Sequence, residues 1–173
     1  DDLASVLTKL GVEVLRPKEM NFQELGGMYN YCPRDRLLVY GNTIVNPAMM
    51  YPCRDMELQC YHDIVDEAEH YHFMPRHEGM ILDAANVCRL GDKMLFLESA
   101  SGNRAAYEWL CSVFPEADIE LCNFYAGVHI DSTVVPLREG LVLLNPSRVN
   151  DNNLPEFLKS WDKIWAPEPY PTQ

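Results

Sequence analysis

The sequence predicts an α/β fold built from repeats of one unit, in which two strands, a helix and a third strand follow one another. Two observations lead to this prediction. Short runs of strand-forming residues alternate with turn signals along the 173 residues. Three aspartates, Asp35, Asp83 and Asp131, recur at equal intervals, and each comes just before the first strand of a unit. A period of roughly 50 residues is typical of units that stack or close into a ring.

The first unit begins at Asp35 and contains a tight hairpin around Gly41-Asn42, a dipeptide that favours a turn. A helix follows because apolar side chains recur there at helical spacing. The predicted elements are, in order, strands at 37–40 and 43–45, a helix at 55–69 and a strand at 71–74.

The same order recurs twice more, and an incomplete copy precedes the first unit. The second unit is predicted to have strands at 85–90 and 94–97, a helix capped by Ser101 or Asn103, and a strand at 119–124. The third is predicted to have strands at 133–135 and 141–144, a helix at 154–161 and a strand at 163–165. Before the first unit, a helix at 3–10 and a strand at 12–15 form the back half of a further unit. We therefore expect one incomplete domain over residues 1–173, with modules at about 1–16 (partial), 35–75, 83–124 and 131–166.

Composition and charge narrow the classes of partner. The formal net charge is −12, which disfavours nucleic-acid binding because phosphate backbones are held by Lys and Arg. This charge is compatible with a cationic small-molecule substrate. No apolar run reaches the roughly 20 residues of a membrane helix, and the N-terminus has no signal-peptide pattern. We expect neither a nucleic-acid nor a membrane partner.

The six cysteines favour a reducing environment. No two form a C-x-x-C pair, and several lie within apolar runs, as reduced core cysteines do. We therefore expect a cytoplasmic protein without a zinc site.

The three aspartates are the first candidates for a functional site. If the units share one geometry in a ring, the three carboxylates converge near the axis. Converging carboxylates need a cation, because like charges disfavour ionisation. A guanidinium, gripped from two sides, and a divalent metal are the two candidates. The alternative is that each aspartate only caps a turn before a strand, which the equal spacing makes less attractive.

His129, two residues before Asp131, is the histidine closest in sequence to these acids. An extended segment over 128–133 would point both side chains the same way. Asp83 could then orient the imidazole, as in nucleophilic catalysis with a base and an orienting acid. Arg148 could clamp a substrate carboxylate or be an ordinary surface arginine.

A second group of histidines is a weaker candidate for a site. His70, His72 and His77 could bind a metal, but a solvated strand end is favoured because no ligand spacing supports a metal there.

Four segments carry a resemblance to a known family. They are Pro33-Arg34-Asp35-Arg36-Leu37-Leu38-Val39-Tyr40-Gly41-Asn42, Leu82-Asp83-Ala84-Ala85-Asn86, His129-Ile130-Asp131-Ser132-Thr133 and Asn145-Pro146-Ser147-Arg148. Together they resemble the glycine amidinotransferase family, a branch of the guanidine-modifying enzymes. The resemblance implies a pentein-type α/β propeller, a closed ring of five modules, of which this chain would hold about three and a half.

The resemblance also implies roles for the site residues. Asp35 and Asp131 would grip a guanidino group, Asp83 and His129 would be the acid and histidine of a catalytic triad, and Arg148 would bind the carboxylate of the donor amino acid. The implied activity moves an amidino group from arginine to an amine such as glycine through a cysteine-bound intermediate. Neither cofactor nor metal is implied, and related enzymes are often homodimers.

The nucleophilic cysteine of the family lies in the last module, and none of the six cysteines matches that position. Cys32 and Cys122 are better interpreted as structural. The sequence is therefore expected to be a fragment of a longer protein, to have its remainder on another chain, or to be a degenerate binding protein. Three functions stay open: an amidinotransferase, a hydrolase of the same fold that gives citrulline-type products, and a non-catalytic binder of arginine or another guanidine.

Overall fold

The computed structural model describes residues 2–26 and 32–167, and it contains three small sheets that follow one another along the chain. Each sheet has three strands in sequence order. The first two pair antiparallel as a hairpin, and the third pairs parallel with the second. The repeat predicted from the sequence is confirmed at this level.

The strands lie close to their predicted positions. The first sheet contains β1 (Leu38–Tyr40), β2 (Thr43–Asn46) and β3 (His70–Phe73). The second contains β4 (Val87–Leu90), β5 (Lys93–Leu97) and β6 (Asp118–Cys122), and the third contains β7 (Val134–Arg138), β8 (Leu141–Leu144) and β9 (Asp162–Trp165). Each hairpin turn has a glycine at positive φ, at Gly41, Gly91 and Gly140, where a side chain would strain the backbone.

Short helices and helical turns connect the strands. The α-helices are α1 (Asp2–Lys9), α2 (Phe22–Leu25), α3 (Pro33–Arg36), α4 (His62–Val65) and α5 (Arg104–Val113). The 3₁₀ segments are Pro52–Tyr61, Arg76–Glu78, Ala84–Asn86, Ile130–Ser132 and Glu156–Ser160. Asn103 caps the N-terminus of α5, because its side chain accepts a hydrogen bond from the Ala106 N–H, so the second of the two predicted caps is the one used.

Two of the predicted helices are 3₁₀ segments instead. In place of one helix at 55–69, Pro52–Tyr61 is a 3₁₀ helix that continues into α4. A 3₁₀ helix aligns side chains three residues apart, and this register places Arg54 beside Glu57 in the protein interior. The predicted helix at 154–161 shortens to Glu156–Ser160, which is too short for cooperative α-helix formation.

The predicted strand at 12–15 is wrong, although α1 confirms the helix predicted before it. Val12 and Leu15 are exposed, and residues 12–20 have no regular secondary structure. A strand exists only by pairing, and no strand of the described ranges pairs with this segment. The division of the chain into one partial and three full modules stays a prediction.

β5 separates the two main hydrophobic clusters. Met94 and Phe96 pack into a cluster with Leu110 of α5, whereas Leu95 and Leu97 face a second cluster that includes residues of β7 and β8. Alternate side chains of a strand point to opposite faces, so one strand serves both cores. Because β5 belongs to the second hairpin and also packs against β7 and β8, it fixes the second and third hairpins relative to each other. No helix within 2–26 or 32–167 has the length and apolar character needed to cross a membrane.

The first core gives a prediction about stability. Leu110→Ala leaves a cavity beneath the second sheet, because Leu110 is fully buried, and we expect a loss of about 2–5 kcal/mol in the free energy of unfolding. Urea denaturation of the purified protein measures it. Glu108→Ala, at an exposed position of the same helix, is the control and should change the free energy of unfolding little. A loss no larger than that of the control would contradict the assigned core.

Candidate active site

Each of the three aspartates lies at a helical turn that leads into the first strand of its sheet. Asp35 lies in α3, Asp83 directly precedes the Ala84–Asn86 turn, and Asp131 lies in the Ile130–Ser132 turn. α3 contacts the Ala84–Asn86 turn, which in turn contacts Ile130–Ser132. The three acids therefore occupy equivalent places, and the fold brings their turns side by side.

Asp83 and His129 form the most direct contact of this region. His129 Nε2 lies 3.2 Å from Asp83 Oδ2. Asp83 as a whole residue is only 3% exposed, and its other carboxylate oxygen accepts a hydrogen bond of 2.9 Å from the Met50 N–H. Because both oxygens of Asp83 are engaged, the carboxylate is fixed and can in turn fix the imidazole.

The environment raises the pKa of His129 above its ordinary value of 6.5. The hydrogen bond to Asp83 is the largest cause, and the charges of Asp35, Asp83 and Asp131 act in the same direction. Desolvation of the imidazole opposes them. The surroundings therefore favour the protonated form, as an acid that donates to a leaving group requires.

The backbone of His129 is unlike that predicted from the sequence. The extended segment expected over 128–133 is wrong, because Ile130–Ser132 is a 3₁₀ turn and His129 has a φ of 60°, the only positive φ of a non-glycine residue in the described ranges. Such a conformation costs on the order of 1–3 kcal/mol. His129 faces Asp83 from this conformation. The expectation that the side chains of His129 and Asp131 point the same way along an extended segment is therefore not met.

Asp35 flanks the imidazole on its other edge. Asp35 Oδ1 lies 3.9 Å from His129 Nδ1, and Oδ2 lies 3.1 Å from Nη1 of Arg54. Asp35 is buried. His129 thus lies between two carboxylates, hydrogen-bonded to Asp83 at one ring nitrogen and within 3.9 Å of Asp35 at the other.

A buried arginine behind Asp35 was missed by the sequence reasoning. Arg54 is 2% exposed and forms a forked pair with Glu57, which is fully buried, through Nε–Oε1 at 2.7 Å and Nη2–Oε2 at 3.0 Å. The remaining nitrogen of Arg54, Nη1, donates to Asp35 Oδ2 at 3.1 Å. The available signal was an arginine and a glutamate three residues apart, which a 3₁₀ register places together. Arg54 therefore connects Asp35 to the 3₁₀ helix behind it.

Asp131 lies farther out, with 44% of its side chain exposed. Its Oδ2 is 3.3 Å from Nη1 of Arg34, whose Nη2 donates to the Val87 carbonyl at 3.2 Å. The two carboxylates that the sequence assigns to a guanidinium therefore each contact a guanidinium of the chain itself, Arg54 at Asp35 and Arg34 at Asp131. A substrate guanidinium must share these carboxylates with them or displace Arg34.

Arg148 reaches the same turn as Asp131. Its Nη1 donates to Ser132 Oγ at 2.6 Å and to Thr133 Oγ1 at 3.2 Å. Its guanidinium stacks 3.6 Å from the ring centre of Tyr125. These contacts orient the positive charge beside the candidate site, as recognition of a carboxylate requires.

His70, His72 and His77 have partners of their own outside this site. His70 pairs with Glu69 and His77 with Glu78, both at 3.7 Å, and His72 packs edge-on against Trp109. In the part of the chain that the structure describes, no three or more His, Cys, Asp or Glu side chains are grouped as metal ligands would be.

None of the six cysteines, all of which lie within the described residues, forms a disulfide, and three have pKa values unsuited to a nucleophile. Burial raises the pKa of Cys88 to about 11 and that of Cys122 to about 12. The pKa of Cys32 is raised by burial and by the negative charge of Asp35. A reactive thiolate needs the opposite, a lowered pKa beside positive charge. These values support the structural interpretation of Cys32 and Cys122.

The Asp83–His129 contact can be tested by titration. Asp83→Asn keeps the shape but removes the negative charge, so we expect the pKa of His129 to fall. Because the folded-state pKa is raised, the contact stabilises the protein fully below the ordinary pKa of 6.5, and this contribution is lost as the pH rises through the raised value. NMR titration of the imidazole measures the shift. Asp131→Asn, which removes the smallest of the contributing charges, is the control, and an equal fall in both variants would argue against the contact.

The buried pair behind Asp35 gives a prediction about stability. Arg54→Met leaves Glu57 and Asp35 without their shared cation, and we expect a loss of about 3–5 kcal/mol in the free energy of unfolding. Lys159→Met breaks the exposed ion pair with Glu156 and should cost at most about 0.5 kcal/mol. Denaturant unfolding of both variants measures the difference, and equal losses would refute a buried role for Arg54.

The amino-acid sequence of this chain is similar to those of several amidinotransferases. Inosamine-phosphate amidinotransferase 1 of Streptomyces griseus is 39% identical over 199 residues, which cover 96% of this chain and 57% of the relative. L-arginine:L-lysine amidinotransferase of Pseudomonas savastanoi pv. phaseolicola is 30% identical over 211 residues, which cover 98% of this chain and 58% of the relative. No model of a protein family matches the chain. The resemblance identified from the four sequence segments is confirmed by these relatives.

Comparison of structures gives the same result. The solved structure of inosamine-phosphate amidinotransferase from Streptomyces griseus superposes with a TM-score of 0.88 at 38% identity, covering 96% of this chain and 57% of that one. This likeness confirms the pentein-type α/β fold predicted from the sequence. The chain spans 57% and 58% of the length of the two curated relatives named above.

Proposed function

This chain belongs to the amidinotransferase family, and from that premise we propose that it binds the guanidino group of arginine and serves in the transfer of the amidino group to an amine. The observation that carries the proposal is the placement of His129 between the carboxylates of Asp83 and Asp35, at 3.2 and 3.9 Å. This arrangement supplies a proton donor and acceptor beside a site that suits a planar cation.

Asp35 and Asp131 are the proposed carboxylates for the substrate guanidinium. A guanidinium spreads one charge over a planar fork, which carboxylates on two sides can accept. Their existing contacts with Arg54 and Arg34 support the choice, because each carboxylate already accepts a guanidinium. Arg148, oriented by the Ser132 turn, is proposed to bind the carboxylate of the donor amino acid.

His129 is proposed to move the protons of both half-reactions. A thiolate attacks the guanidino carbon, a C–S bond forms, and the C–N bond to ornithine breaks as His129 protonates the departing amine. His129 then takes a proton from the acceptor amine, which attacks the same carbon. The C–S bond breaks, and the thiolate and the acid form of His129 are restored, so protons and electron pairs balance over the cycle. Asp83 keeps the imidazole oriented in both steps.

We assign the thiolate of this mechanism to none of the six cysteines of the chain. The raised pKa values of Cys32, Cys88 and Cys122 support that assignment. The relatives are longer, and this chain covers 57% of the first of them. The whole reaction is therefore proposed for the protein encoded by the complete reading frame.

An amine is the proposed class of acceptor. Inosamine phosphate and lysine appear in the names of the relatives, and glycine is the acceptor that the sequence resemblance implies. We further propose a cytoplasmic location, which six cysteines without a disulfide support because reduced cysteines persist in reducing compartments. The homodimer expected from the resemblance stays a prediction.

A non-catalytic arginine-binding protein is the second candidate. The raised thiol pKa values favour it, because they leave the chain with acids that suit a cation but with no assigned nucleophile. The two candidates agree on guanidinium binding and differ in whether ornithine forms.

Turnover of arginine tests the proposal. With the complete reading frame, arginine and an amine acceptor, we expect ornithine and the amidinated amine in equal amounts over many turnovers. Without the acceptor, we expect no more than one ornithine per enzyme, from the first half-reaction alone. His129→Gln should lower the rate by about 10²–10⁴-fold, because it removes the acid and base. His77→Gln, at an exposed histidine, is the matched control and should leave the rate unchanged. Mass spectrometry of the products measures each.

The alternatives give different products. Citrulline formation would replace the transferase by a hydrolase. Arginine binding without any product would favour the non-catalytic candidate, and no arginine binding would refute both.

A further inference from the structure

Asn86 is a fully buried amide between the two candidate catalytic residues, and the mechanism above does not use it. It ends the Ala84–Asn86 turn, which begins directly after Asp83. Its backbone N–H donates to the Asp83 carbonyl at 2.9 Å. Asn86 is therefore tied to Asp83 through its own main chain.

The side chain of Asn86 reaches His129. Asn86 Oδ1 accepts one hydrogen bond from the backbone N–H of His129 at 3.1 Å and another from Ser101 Oγ at 2.8 Å. Its Nδ2 donates to the Leu97 carbonyl at 2.9 Å and to Ser99 Oγ at 2.8 Å. Two donors and two acceptor positions are the full capacity of a primary amide, and all are used.

The contacts with main-chain groups fix the orientation of the amide. A backbone N–H can only donate and a carbonyl can only accept, so Oδ1 must face His129 and Nδ2 must face Leu97. Turning the amide over would set nitrogen against the His129 N–H and oxygen against the Leu97 carbonyl. The amide is thus locked in the orientation that serves His129.

The space beside the amide has no room for another side chain. A Cβ on Gly102 would lie 2.6 Å from Asn86 Nδ2 and 3.0 Å from the Leu97 carbonyl oxygen. Real Cβ atoms do not approach so closely, so glycine at this position leaves the Asn86 amide the room that its four hydrogen bonds require.

His129 is the residue that needs such a support. Its φ of 60° is unfavourable for a side chain with a Cβ, and strained conformations persist only where neighbouring structure determines them. The hydrogen bond from its own N–H to Asn86 acts directly on the strained peptide. Since Asn86 is also tied to the Asp83 main chain, one residue sets the position of both partners of the Asp83–His129 contact.

We propose that Asn86 is a positioning residue of the site, which holds the backbone of His129 at its positive φ so that the imidazole meets Asp83. An effect of Asn86 on catalysis rests on the proposed function. Its effect on the contact between Asp83 and His129 does not. Asn86 itself touches neither substrate nor reacting atoms.

The test compares two variants that each remove hydrogen bonds from the same buried cluster. Asn86→Ala frees the His129 N–H, whereas Ser99→Ala removes only one of the two acceptors of Asn86 Nδ2 and leaves the His129 contact in place. Both are made in the protein encoded by the complete reading frame. The readout is the NMR titration of the His129 imidazole, identified as the resonance lost in His129→Gln.

We expect the pKa of His129 to fall in Asn86→Ala and to stay near the wild-type value in Ser99→Ala. The groups that face the imidazole, Asp83, Asp35 and Asp131, are unchanged in both variants, so a fall reports displacement of the histidine. An unchanged pKa in Asn86→Ala, or equal shifts in the two variants, would overturn the proposal.

Two further measurements cover the case in which Asn86→Ala does not fold. Gly102→Ala displaces the amide without removing it and should lower the pKa of His129 in the same direction. In the unmutated protein, hydrogen exchange at the His129 amide should be slower than at the exposed Val128, because that N–H is bonded to a buried acceptor. An unshifted pKa in folded Gly102→Ala, or equal exchange at the two amides, would refute the role of Asn86.

The rate distinguishes this inference from the proposed function. If arginine is turned over, Asn86→Ala should lower kcat by up to about 10²-fold with little change in KM, because the histidine and not the guanidinium site is displaced. If arginine is not turned over but the pKa shifts as described, the proposed function fails and the positioning role of Asn86 stands.

Discussion

The hydrogen bond between Asp83 and His129 is the interaction on which the account of this protein depends. Its 3.2 Å separation joins the turn before the second hairpin to the segment before the third. This hydrogen bond requires a buried carboxylate and a histidine with positive φ. It also requires β5, which packs into both hydrophobic clusters and so holds the two hairpins in place. The repeated fold supplies equivalent turns, and the differences between these turns supply the chemistry.

The three aspartates lie at the same stage of the repeated unit but have different surroundings and different proposed roles. Asp83 is buried and contacts the imidazole, Asp35 is buried between His129 and Arg54, and Asp131 is half exposed beside Arg34. Position in the repeat is shared, while burial and partner are not. A cation site built this way keeps one carboxylate open to solvent, where a substrate can reach it, and anchors the other through a buried arginine.

The sequence predicted the features that depend on local chemistry. The hairpins and the equal spacing of the acids were predicted because turn residues and strand patterns act over a few residues. The Arg54–Glu57 pair and the φ of His129 were missed, since the first depends on a 3₁₀ register and the second on a contact with Asn86, 43 residues away in sequence. The strand predicted at 12–15 failed because pairing, which no local pattern reveals, decides whether an extended segment is a strand.

A crystal structure of the protein encoded by the complete reading frame, grown with arginine, tests the central claim most directly. We expect the guanidino group between Asp35 and Asp131, its carbon facing the His129 side of the site, and the arginine carboxylate on Arg148. Arg34 would either share Asp131 with the ligand or swing away from it. A divalent metal held by the three aspartates, or arginine bound elsewhere on the molecule, would contradict the account.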